Sequence, residues 1–121
     1  MITKFRAWDK EKKLMNIVDG IHFDEDKVWE ISCHGVCWKN IRHYILMQST
    51  GLHDVNEEEV FQDDIVWDDQ NEEYGVVEID EAKFVIRWQY GYNEDLFERI
   101  DLLEVVGNIH EHSHLLDNGG Q

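Results

Sequence analysis

"GVVEIDEAKFVIRW", residues 75–88, is the stretch on which the fold turns. Two runs rich in β-branched and aromatic residues, 75–79 and 83–88, are separated only by Asp80, Glu81 and Ala82. A connection that short predicts an antiparallel hairpin. In the second run Phe84, Ile86 and Trp88 alternate with Lys83, Val85 and Arg87, so one face can supply a core.

Outward from the hairpin the pattern repeats. "DIVW" (64–67) precedes it and "LEVVGNI" (103–109) follows it, which predicts four or five strands over residues 61–109, the size of a small SH3-like barrel. On the N-terminal side "TKFRAW" (3–8), "KVWEISC" (27–33) and "HYILMQS" (43–49) are further short strands bounded by polar clusters. In 27–33, Trp29, Ile31 and Cys33 alternate with Val28, Glu30 and Ser32. The expectation is an all-β, mainly β chain: an N-terminal β subdomain (1–53), an SH3-like barrel subdomain (60–110) and a C-terminal tail (111–121). "STGLHDVNEEE" (49–59) is the boundary. The tail should form one helical turn through Leu115 and Leu116 and be disordered from Asp117, where it turns polar and glycine-rich.

A chain of 121 residues with 42% hydrophobic residues, five Trp, five Phe and four Tyr can build a real core, so its 31% of charged residues does not signal disorder. No apolar window is long enough to span a membrane and the N-terminus lacks a secretory h-region, which predicts a cytoplasmic protein with no membrane partner. The charge is lopsided. Residues 1–43 hold eight Lys/Arg against seven Asp/Glu, for +1, whereas residues 44–121 hold three against twenty, for −17. A surface of that sign repels phosphate backbones, so nucleic acid is not an expected partner of the second half, and a basic protein is.

Catalysis is not indicated. There is no GxSxG, HExxH, P-loop or dinucleotide fingerprint, and Ser32, Ser49 and Ser113 stand outside any motif. Cys33, His34 and Cys37, with His43 nearby, offer soft ligands, but CxxxC without a second pair falls short of a closed zinc site. The two cysteines are expected as free thiols. His110, His112 and His114 would put three imidazoles on one face if they continued a strand; a surface tail is the plainer reading. No cofactor and no metal is expected. The acids are the remaining candidate. Asp63, Asp68, Asp69, Glu72 and Glu73 are expected to form a negative sheet face or loop rim that docks a basic partner, against the plainer alternative of a solvated face. Asp64, opening "DIVW", is expected instead to order the turn before it through backbone hydrogen bonds. Trp8, Trp29, Trp38, Trp67 and Trp88 belong to core or intersubunit contacts, which predicts a homo-oligomer.

Several stretches together resemble the YopX family, small proteins carried by bacteriophages and prophages of low-GC Gram-positive bacteria: "KFRAWD" (4–9), "LMQSTGLHD" (46–54), "DIV" (64–66), "GVVE" (75–78) and "EVVGNIHE" (104–111). The resemblance implies a mainly β protein whose C-terminal half is similar to an SH3-like barrel. It implies no reaction, cofactor or catalytic residue. Phage context favours an accessory protein that binds a host component, with a nucleic-acid-binding or metal-binding small barrel as the alternative. Where the family pattern has two turn glycines, this chain has Glu57 and Asp63. Asp tolerates positive φ better than Glu does, so the loop at Glu57 is a place where rebuilding is expected.

Overall fold

The computed structural model describes residues 4–33 and 38–118 and is mostly β. Contacts divide the chain into two compact units, Met1–Gln48 and Ser49–Gln121.

In the first unit β1 (Phe5–Asp9), β2 (Leu14–Asp24), β3 (Lys27–Cys33), β4 (Trp38–Asn40) and the start of β5 (Tyr44–His53) pair antiparallel in the order β4-β3-β2-β1-β5. Asp9 closes the β1–β2 turn by accepting the backbone N–H groups of Glu11 and Lys12, each at 3.0 Å. Those bonds, the one from Lys12 foremost, hold its carboxyl below the ordinary range although burial works the other way. The β2–β3 hairpin turns on Glu25 and Asp26, both at positive φ (49° and 73°), as a two-residue loop matched to strand twist requires. Strand β2 escapes the sequence pattern because it is irregular. Its pairing with β3 slips twice: Asp19 is an extra residue in β2 between Val18 and Gly20, which breaks the period of two, and Trp29 is an extra residue in β3 opposite His22 and Phe23. Ala7, Trp8, Ile31 and Met47 are buried.

In the second unit the end of β5 pairs with β6 (Glu59–Phe61). Strands β7 (Asp64–Asp68), β8 (Glu73–Asp80), β9 (Lys83–Trp88) and β10 (Asn93–Asp95) form a meander. Helix α1 (Leu96–Arg99) and a 3-10 turn (Ile100–Leu102) lead to β11 (Glu104–Asn108), which returns beside β7, giving the order β10-β9-β8-β7-β11. A four-strand meander whose fifth strand returns to the first after a helical turn is the SH3-like connectivity expected. The hairpin at 75–88 is tighter than its sequence suggests. Asp80 still pairs with Lys83, and only Glu81 and Ala82 turn, at φ 49° and 67°. Phe84, Ile86 and Trp88 point into one cluster with Val60, Val66, Val77, Leu96, Ile100 and Leu103. Gly75, opposite Trp88, is glycine for want of room: a Cβ there would lie 2.8 Å from the indole and closer still to Ile86. Short helix α2 (His114–Asn118) carries Leu115 and Leu116 where one helical turn is expected, and it continues through Asp117 and Asn118, where disorder is expected, because the helical turn begun at His114 runs on past the leucines. The remainder of the expected disordered tail, residues 119–121, lies outside the described residues, as do His34, Gly35 and Cys37.

Candidate functional site

The five acids expected on one surface do not share it. Asp69 and Glu72 are exposed, but Asp68 and Glu73 are buried and Asp63 is partly so. Each inward one has an internal task. Asp63 sits at φ 73° in the turn before β7, where its Oδ2 lies 3.0 Å from His110 Nε2. Glu73 accepts the backbone N–H of Tyr90 at 3.2 Å. Asp68 caps the following turn through the N–H groups of Gln70 and Asn71 and binds the Asn71 side chain at 2.7 Å.

Asp68 also anchors a polar network that sequence reasoning missed. Arg99, the last residue of α1, donates Nη2 to Asp68 Oδ2 at 2.8 Å and Nη1 to Glu94 Oε1 at 2.6 Å, while its guanidinium lies 5.8 Å from the centre of the Trp88 ring. Trp88 Nε1 donates to the same Glu94 oxygen at 2.8 Å. Burial opposes the charge of Asp68, yet the bonds from Asn71, Arg99 and Gln70 outweigh it and leave the carboxyl below its ordinary range. Tyr92 moves the other way: burial, then the charges of Glu73 and Glu94, raise its phenol. A network in which each charge is paired and packed on a core tryptophan is built to hold α1 on the sheet.

The acidic stretch from Glu57 to Asp64 is likewise divided. Asp64 accepts the Phe61 N–H at 2.8 Å and so orders the turn ahead of β7, as expected. Ser49 Oγ donates to Glu59 Oε2 across the β5–β6 pairing. Glu57 and Glu58 remain exposed. Glu57 takes φ 65°, in the left-handed region that favours glycine. It is held there by Asp54, whose backbone carbonyl accepts the Glu57 N–H and whose Oδ1 accepts those of Asn56 and Glu58.

Among the described residues the soft-ligand candidates are not gathered into a metal site. Strand β11 ends at Asn108, so the histidine run lies past it, and although the His112 and His114 rings lie 6.3 Å apart, His110 is turned to a different partner. His110 meets Asp63; His112 lies over Gly107 and accepts the Asn108 N–H at Nδ1 (3.1 Å); His114 opens α2. Burial, then the charges of Asp19 and Asp9, raise the Cys33 thiol, which disfavours the thiolate a metal needs. Among the described residues no three His, Cys, Asp or Glu side chains are placed to hold a metal ion.

What the second unit does present is apolar surface among carboxylates. Phe97 is 74% exposed, Leu102 64% and Val55 56%. Val55 donates its N–H to the Leu103 carbonyl at 3.0 Å and Asn56 binds Glu104, which sets the loop 55–58 beside the segment 102–104. Glu57, Glu58, Glu98, Asp101 and Glu104 are exposed around these side chains. Across the unit's described residues ten acidic side chains are exposed against two basic ones, Lys83 and Arg87. The signal was present in the sequence: Leu96, Ile100 and Leu103 recur at helical spacing and turn inward, which leaves Phe97 and Leu102 off the buried face.

No helix among the described residues is long and apolar enough to cross a membrane. Among solved structures the chain is similar to protein EF1440 from Enterococcus faecalis, with a TM-score of 0.71 and 26% identity over 96% of this chain and 99% of that one. It is also similar in fold to protein yopX from Bacillus subtilis, with a TM-score of 0.67 and 17% identity over 95% and 98%. Comparison with curated protein sequences gives no match. The family model described as YopX protein matches residues 4–117, and on that extent the chain belongs to the YopX family.

Proposed function

We propose that this chain is a phage-derived accessory protein that acts by binding and not by catalysis in the host cytoplasm, and that its second unit docks a basic partner protein. The observation that carries the reading is the exposure of Phe97, Leu102 and Val55 inside an acidic surround. A carboxylate face that serves only solubility has no use for an exposed phenylalanine. Apolar side chains supply most of the affinity of a protein contact, and a surrounding field of one sign raises the association rate and selects partners of opposite charge. The same field repels nucleic acid, which sets this unit apart from the small barrels that bind it. Asp69 and Glu72 add to that field without forming its centre.

The test is capture from host lysate at low and high salt beside a charge-matched control protein. The expected result is a basic species retained at low salt and lost both with Phe97→Ala/Leu102→Ala and with Glu98→Gln/Asp101→Asn/Glu104→Gln. Retention indifferent to both variants, or nothing beyond the control, overturns the reading.

A further inference from the structure

The first unit carries an exposed aromatic surface of its own. Trp38 of β4 lies over Gly20, where a Cβ would meet its ring at 2.7 Å, and His22 of β2 stacks on it with ring centres 3.7 Å apart and planes 11° apart. Glu30 Oε1, 2.8 Å from His22 Nδ1, fixes the imidazole. Trp38, His22 and Glu30 thus engage one another. Trp29 of β3 is the indole left over: its ring centre is 6.4 Å from that of His22 and it is 47% exposed. It forms one wall of a groove of about 300 Å³, with Val28 and Ile41 as further apolar walls and with Asp24, Glu25 and Lys27 of the β2–β3 hairpin also lining it.

We propose that this groove binds an arginine side chain of a partner polypeptide, the guanidinium lying on the Trp29 indole and donating to the carboxylates of Asp24 and Glu25. Charge complementarity selects a cation. Two acids line the groove against Lys27 alone, Asp26 is exposed in the same turn, and Glu30 follows Trp29 on β3. The other bases nearby are directed elsewhere: Lys39 lines a separate groove with Lys12 and Tyr44, and Arg42 donates Nε to His43. The indole then selects among cations. Tryptophan offers the strongest aromatic face to a positive charge, and a guanidinium can stack its plane on that face while its fork still donates to a carboxylate. An ammonium is a compact, strongly hydrated point charge and does not combine the two contacts. Val28 and Ile41 suit the apolar stem of the same side chain. Anionic ligands meet repulsion from the same acids. This inference does not rest on the docking surface of the second unit.

Nuclear magnetic resonance titration of the isotope-labelled full chain with the capped tripeptide Gly-Arg-Gly tests it. The expected result is saturable movement of the Trp29 indole N–H resonance, identified by its absence from Trp29→Leu. The citrulline tripeptide, which keeps the shape and loses the charge, should bind at least about 10-fold more weakly. Trp29→Leu, followed through the backbone amides of the hairpin, and Asp24→Asn/Glu25→Gln should each weaken the arginine tripeptide at least about 5-fold while the melting transition is retained. Lys27→Met removes the competing base and should tighten it at least about 2-fold, a gain that loss of structure does not produce. Phe97→Ala should leave it unchanged, which separates this groove from the surface of the second unit. No saturable movement, equal binding of the citrulline or the lysine tripeptide, or an affinity indifferent to Trp29→Leu and to the paired carboxylate variant overturns the proposal.

Discussion

Asp68 keeps its charge where burial works against it, because Asn71, Arg99 and Gln70 bond to the ionised form. Its folded value lies below the ordinary 3.8, so the stabilisation it gives is complete above about pH 4 and is lost as pH falls through the lower folded value. Asp68→Asn should therefore lower stability at neutral pH by about 2–3 kcal/mol, leaving Arg99 half paired, and should flatten the acid limb of a stability–pH curve. Denaturant unfolding between acid and neutral pH reads both. Glu57 is the opposite case, a residue in a conformation it does not favour. At φ 65° glycine is at ease and glutamate is not, so Glu57→Gly should raise the denaturation midpoint by the equivalent of about 0.5–1 kcal/mol.

Among the elements, the hairpin at 75–88 was legible except for its exact turn, because a period of two and a short connection act within a dozen residues and need nothing from elsewhere. Its turn still bears a mismatch, since Glu81 and Ala82 occupy positions where Asn-Gly is preferred. Replacing the pair by Asn-Gly should stabilise the protein by about 0.5–1 kcal/mol, read as a rise in Tm. Strand β2 was not legible. Its pairing with β3 slips at Asp19, and alternation cannot be read across a slip. The three-residue strands β4, β6 and β10 carry too few side chains to show any period. Gly20→Ala tests whether β2 is shaped around its neighbour: the added methyl should displace the Trp38 ring, seen as a changed near-ultraviolet circular dichroism signal with the far-ultraviolet signal retained.

Across the whole molecule the net charge of −16 makes electrostatic self-repulsion a steady opponent of folding. Salt screens it, so Tm should rise as ionic strength goes from low to physiological; a flat response would overturn this. The amino-acid sequence by itself determined the all-β class, the central hairpin, the short helix at Leu115 and Leu116, the turn-ordering role of Asp64 and the gathering of negative charge in the second half. These follow from local alternation, turn length and residue counts, none of which depends on distant partners. Which acids face solvent was decided only by tertiary structure. Asp68 and Asp69 are neighbours in the chain and meet opposite environments, because Asp68 ends β7 facing Arg99 whereas Asp69 already stands in the exposed turn that follows. The aromatic row of His22, Trp29 and Trp38 comes from three strands, so no single stretch of sequence contains it.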